Sequence, residues 1–308
     1  MGEAGHRRPG KGKRCSEPLG RGHHAADPGG FSLLLRQNSR LRVHGIWQWS
    51  LPAWAGRLPD GRSYNTCPSA GACRHICYAL VGRFRMPAVL AAHQRNLQLT
   101  LDDLDGWAHQ MRDELTAQRF HGAAVRIHDS GDFYSSAYLC AWLSIIRATP
   151  STRFYCYTKE ILLFREHVEP DPPPNLSWIY SLGGIHDHRL TPNDRVADVF
   201  PNEEYIATTP EWTSQSRCDL DAVSGRPRIG VPANNIPHLR ARQGQRRLGE
   251  MQREEDAARR RRRARRLTSG GCTRSAEQSS RPTAALDSPG ALDNGASTDA
   301  TTPAPKRS

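Results

Sequence analysis

Between residues 43 and 239, short apolar runs alternate with stretches of helical spacing, and this alternation limits the fold more than any other feature. Residues 43–51 carry Val, Ile and two Trp ahead of Pro52 and read as a strand. Residues 86–100 and 101–118 space their apolar side chains at helical intervals, the second with Leu104, Trp107, Met111 and Leu115 on one face. Residues 123–128 read as a buried strand, 137–148 as a helix, 153–157 as a strand and 161–167 as a helix. Residues 176–182 read as a strand, and 205–209 as a further short one. Strand, helix, strand, helix implies parallel strands joined by crossover helices. The stretch is too short for eight strands with full helices. The expected class is therefore α/β, either a partial (β/α) barrel or an open parallel sheet with crossover helices.

Charge separates this core from its flanks. The chain has 308 residues and a formal net charge of +12. Residues 1–42 carry nine Lys and Arg against three acids, and residues 240–266 carry twelve Arg against four. Residues 43–239 hold 18 basic and 20 acidic residues, so the excess of positive charge lies in the flanks. The expected division is a disordered basic segment at 1–42, the α/β domain at 43–239, an Arg-rich helix or tail at 240–266, and a disordered Ser/Thr/Ala/Pro tail at 267–308. The arginine run at 259–263 suits non-specific contact with nucleic-acid phosphates. No stretch approaches the length of a membrane span and the first 30 residues hold no apolar leader, so a cytoplasmic chain with reduced thiols is expected.

Three cysteines, Cys67, Cys73 and Cys77, follow the first strand at C-x5-C-x3-C spacing in a loop rich in Gly, Ala, Ser and Pro. Small residues let a loop wrap closely around an inorganic centre. Three thiolates can hold three corners of an iron–sulfur cube or three positions of a zinc tetrahedron, and either leaves one position open. Cys218 is the candidate for a fourth ligand, and His75 is a weaker one. Cys140 and Cys156 lie in apolar segments and read as core residues. Several strands end in polar or glycine elements, namely Ser130-Gly131-Asp132, Thr158-Lys159, Gly183-Gly184 and Thr208-Thr209. The carboxyl ends of parallel strands form the ligand face of such folds, so these elements and the cysteine loop are expected to converge there. Asp132 is read either as the cap of the following helix or as a ligand-binding acid. His128 reads as a structural residue of the strand end. Lys159 offers a cation for a carboxylate or phosphate.

The residues Trp49-Ser50-Leu51-Pro52-Ala53, the cysteine stretch through Tyr78-Ala79, Ser130-Gly131-Asp132-Phe133 and Phe154-Tyr155 through Tyr157-Thr158-Lys159 resemble the gene product 88 family of mycobacteriophages and actinobacteria. The arrangement also resembles, more distantly, the radical S-adenosylmethionine enzymes. That resemblance implies a [4Fe–4S] cluster on Cys67, Cys73 and Cys77, with S-adenosylmethionine or a substrate on the open iron. It implies that Ser130, Gly131, Asp132 and Tyr78 contact the cofactor, that Asp132 and Lys159 serve the chemistry, and that the substrate is an unspecified small molecule or macromolecule. The competing expectation is a zinc-stabilised protein that associates with nucleic acid through its Arg-rich tail.

Overall fold

The computed structural model describes residues 33–216 and 219–272. Seven parallel strands form one open sheet, in the order β1, β4, β5, β6, β7, β9, β8. They are β1 (Ile46–Trp49), β4 (Ala124–Ile127), β5 (Arg153–Thr158), β6 (Leu176–Ser181), β7 (Val196–Phe200), β8 (Thr213–Ser214) and β9 (Arg228–Pro232). A separate antiparallel hairpin, β2 (Ala55–Arg57) and β3 (Ser63–Asn65), leads into the cysteine loop. The helices are α1 (Ser39–Arg42), α2 (Pro87–Asp102), α3 (Leu104–Leu115), α4 (Ser136–Ala148), α5 (Ile161–His167), α6 (Glu203–Ala207), α7 (Pro237–Gln243) and α8 (Leu248–Cys272). The parallel sheet with crossover helices matches the expected class, in its open form.

The two faces of the sheet differ because side chains alternate along each strand. Trp49, Val125, Ile127, Phe154, Cys156 and Tyr180 point to one face and join Trp107, Met111, Tyr138, Trp142 and Phe164 of the helices in the main core. The other face carries a smaller core of Ile46, Ala124, Tyr155, Ile179, Ala197 and Ile229. Further toward the carboxyl ends, that second face is occupied by Arg126, Tyr157, Lys159, Ser181, Val199 and Val231, which line a cavity instead of a core.

Several expected boundaries move. The fold starts before residue 43: Leu34, Leu35 and Leu41 are buried, the backbone N–H groups of Leu34 and Leu35 donate to Glu114, and Asn38 caps α1. Residues 205–209 are not a strand but the end of α6 and its turn, because the Asn202 side chain accepts from the Tyr205 N–H and starts a helix there. The strands β7, β8 and β9 and the hairpin are additional. The Arg-rich segment is helical from Leu248, with side chains exposed from Arg261 to Leu267. Among the described residues no helix is long and apolar enough to cross a membrane.

Candidate functional site

The cysteine loop roofs the cavity on the second face of the sheet, at the carboxyl ends of the strands. The cavity measures about 180 Å³, and Cys67, Cys73 and Cys77 all line it. So do Tyr78, Ser130, Gly131, Asp132 and Lys159, so the residues predicted from sequence do converge. Thr208-Thr209 does not join them; it follows α6 and lies outside the cavity lining. Cys218 lies outside the described residues. His75 sits on the outer side of the loop beside Glu255. Cys156 is buried in the main core as expected, and Cys140 is half-buried on α4.

Backbone bonds hold the loop in place. The N–H groups of Gly71 and Cys73 donate to the Gly183 carbonyl, and the Ile185 N–H donates to the Ser69 carbonyl. Gly183 has φ +96°, and a Cβ there would lie 2.5 Å from Leu248 Cγ, so only glycine suits this contact. Two carboxylates, Glu160 buried and Asp187 half-buried, complete the frame. Glu160 accepts from the Ser69 N–H at 3.0 Å and from the Ser69 hydroxyl at 2.7 Å. Asp187 accepts from the N–H groups of Gly183 and Gly184. On the far side, the Gln252 side chain of α8 accepts from the Ala72 N–H at 2.6 Å, while Ala72, Leu248 and Met251 form a small apolar cluster. Glu160, Asp187 and Gln252 were not singled out from sequence. Their only sequence signals were that Glu160 adjoins Lys159 and that Asp187 follows the Gly-Gly pair.

The Ser130-Gly131-Asp132 element fastens the loop to the sheet. The Ser130 hydroxyl donates to the Leu51 carbonyl, and the Asp132 N–H donates to the Thr66 carbonyl. The Asp132 carboxylate accepts from the Phe133 N–H, the Thr158 hydroxyl and the Lys159 N–H at 2.7–2.9 Å. Burial pushes the Asp132 carboxyl up, and those three donors oppose the shift. Asp132 is not the helix cap: Ser135 caps α4. Tyr78 donates to the Asp129 backbone carbonyl. His128 has the left-handed φ of +68°, and its ring stacks edge-on against Phe133 and hydrogen-bonds Tyr138. Burial lowers it to about 3, so it is neutral. This agrees with the structural reading of His128.

The electrostatics favour negative charge on one of the three thiols, Cys73. The Lys159 ammonium donates to the Ser181 carbonyl, the Ser181 hydroxyl and the Leu182 carbonyl. It makes no ion pair with a carboxylate among the described residues. Cys73 is lowered to about 6, first by a hydrogen bond from the Cys77 thiol and then, against burial, by the Lys159 charge. Cys77 is raised because it donates that bond. Burial, followed by the Asp132 charge, pushes Cys67 up to about 12. These shifts run toward charge on Cys73 and away from charge on Cys67 and Cys77. Among the described residues no group of three or more His, Cys, Asp or Glu side chains is placed to hold a metal ion.

Fold and site together define an open parallel α/β protein with a thiol-lined cavity at the carboxyl edge of its sheet. The chain belongs to the Gene product 88 family, whose model matches residues 32–266. It is 33% identical over 111 residues to the Gene 88 protein of Mycobacterium phage L5, covering 33% of this chain and 46% of that protein. It is 30% identical over 110 residues to the Gene 88 protein of Mycobacterium phage D29, covering 33% and 45%. The chain therefore spans about half the length of these curated relatives. No solved structure matches it.

Proposed function

We propose that Cys67, Cys73 and Cys77 hold a [4Fe–4S] cluster, and that the protein is an enzyme of the radical S-adenosylmethionine type with its reaction chamber in the cavity below the loop. The observation that carries this reading is the meeting of three thiols and one buried ammonium in a single cavity at the carboxyl ends of parallel strands. A cube bearing three thiolates is anionic, and Lys159 is a cation whose own bonds are to neutral oxygens, so its charge is available to offset the cluster. Three thiolates suit a cube by number, each on a different iron with the fourth iron open. When bound, such a cluster supplies one electron to a ligand on its open iron.

The chain's own residues have defined work in this scheme. Asp132 ties the loop after β4 to the end of β5 and so fixes Lys159 beneath the thiols. Glu160 anchors the cysteine loop through the Ser69 N–H and hydroxyl, and Asp187 holds the Gly183-Gly184 turn on which that loop docks. On the α8 side Leu248 lines the cavity and Gln252 accepts from the Ala72 N–H of the loop. The proposal is tested by cysteine replacement under anaerobic expression. Cys67→Ser, Cys73→Ser and Cys77→Ser are each expected to lose most of the bound iron, while Cys156→Ser, in the core, retains it. Added S-adenosylmethionine is expected to alter the electron paramagnetic resonance spectrum of the reduced protein. Retention of iron by all three variants would sink the assignment.

A further inference from the structure

The slightly negative net charge of the folded region hides a strong asymmetry. Residues 51–100, which carry the cysteine loop, hold six Arg and a single Asp. Residues 233–247, which form part of the opposite wall, hold four Arg and no acid. Residues 101–232 hold 12 basic and 19 acidic residues, so the negative charge lies elsewhere in the sequence.

Two basic side chains of the first segment, Arg57 and Arg85, border an aromatic groove. A depression of about 310 Å³ adjoins the thiol cavity and shares Ala53 and Ala79 with it. Tyr64, Phe84 and His93 line this depression, together with Arg57 and Arg85. Arg57 and Arg85 are exposed and have no ion pair among the described residues. Where the groove meets the cavity stands Trp54, 37% exposed and with φ at +54°. A bulky residue in the left-handed region is a strained outlier, and such strain collects at functional sites. The strain here is held in place: the Trp54 N–H donates to Cys67 Sγ at 3.4 Å, and its carbonyl accepts from the Thr66 N–H.

We infer that this groove binds a single-stranded nucleic acid, with one base stacked on Trp54 at the entrance to the thiol cavity. Arginines alone would fit any polyanion. Aromatic side chains beside arginines that have no ion pair among the described residues fit a strand whose bases present π-faces and whose backbone presents phosphates. A duplex keeps its bases stacked on each other and cannot use these faces. The inference names the partner of the site proposed above. It rests on that proposal only for what becomes of the inserted base; the docking stands on the groove itself.

The test uses the full chain with residues 259–263 changed from Arg to Gln, which removes the arginine run of the tail as a source of affinity. Binding of a fluorescein-labelled mixed-sequence 12-nucleotide DNA strand is followed by anisotropy. The strand is expected to bind more tightly than its own duplex, and inorganic polyphosphate of equal charge is expected to compete poorly. Trp54→Ala is expected to weaken binding about 5- to 100-fold, and Trp54→Phe to recover most of it. Arg57→Gln and Arg85→Gln are each expected to lower the salt slope by about 1. Circular dichroism melts of each variant separate lost binding from lost folding. Equal binding of polyphosphate, or Trp54→Ala binding like its parent, overturns the inference. Iron measured on the same preparations keeps the two proposals apart, because iron can be present without strand binding and strand binding without iron.

Discussion

Glu160→Gln is expected to change how stability depends on pH. Glu160 is 5% exposed, and its carboxylate accepts two bonds from Ser69 of the cysteine loop. Burial, and next the Asp132 charge, raise it from the usual 4.5 to about 7, against the pull of the Ser69 donors and Lys159. Because the folded state holds this proton more tightly than the unfolded chain does, the stability it contributes is fully present below pH 4.5 and is lost as pH rises toward 7. At ~1.4 kcal/mol per pH unit the whole loss is about 3 kcal/mol. Glutamine keeps an oxygen for the Ser69 N–H and cannot ionise. The difference in unfolding free energy between variant and parent should therefore grow by about 2–3 kcal/mol in favour of the variant from pH 5 to pH 8. Other groups titrate over the same range. His128, lowered to about 3, contributes stability above pH 6.5 that is lost as pH falls, and Asp198, raised to about 6, behaves like Glu160. Both are common to the two chains and cancel in the difference. Urea unfolding at pH 5, 6, 7 and 8 reads it directly. Parallel pH profiles for the two chains would refute the argument that an ionised, buried Glu160 works against the docking of the cysteine loop.

Gly183→Ala combines a φ of +96° with a Cβ 2.5 Å from Leu248 Cγ and is expected to cost about 2–4 kcal/mol, whereas Gly45→Ala, at φ +65° with open space, should cost about 1 kcal/mol; urea midpoints compare them. Trp54→Gly releases a strained left-handed backbone and is expected to raise stability by about 1 kcal/mol while weakening strand binding as Trp54→Ala does, as measured by melting and anisotropy. Lys159→Met removes the cation beside Cys73, so in metal-free protein the pH midpoint for Cys73 alkylation should move up from about 6; an unchanged midpoint would show that Lys159 does not act on the thiol.

The sequence made the sheet side of the site legible, because its strands announce themselves as apolar runs and each ends in a small or polar element. Ser130-Gly131-Asp132, Thr158-Lys159 and Gly183-Gly184 could be placed on one edge from order alone. Thr208-Thr209 misled, since residues 205–209 alternate like a strand while the Asn202 cap four residues before Ile206 fixes a helix. The opposite wall was hidden. Gln252, Leu248 and Arg240 reach the cavity region from a segment that reads as charged tail, and their contacts with the cysteine loop span up to 180 residues of sequence. Position also decided what Asp132 does. Its three donors come from two segments, one of them beyond α4, and no local pattern distinguishes that from a helix cap. Net charge concealed the basic groove because the acids of residues 101–232 balance it in the total.

The central claim is the cluster on Cys67, Cys73 and Cys77, and metal and sulfide analysis of the anaerobically purified full chain tests it most directly. The account predicts a brown protein that absorbs near ~400 nm and contains about four irons and about four sulfides per chain. A colourless protein carrying one zinc, or no metal, would contradict it.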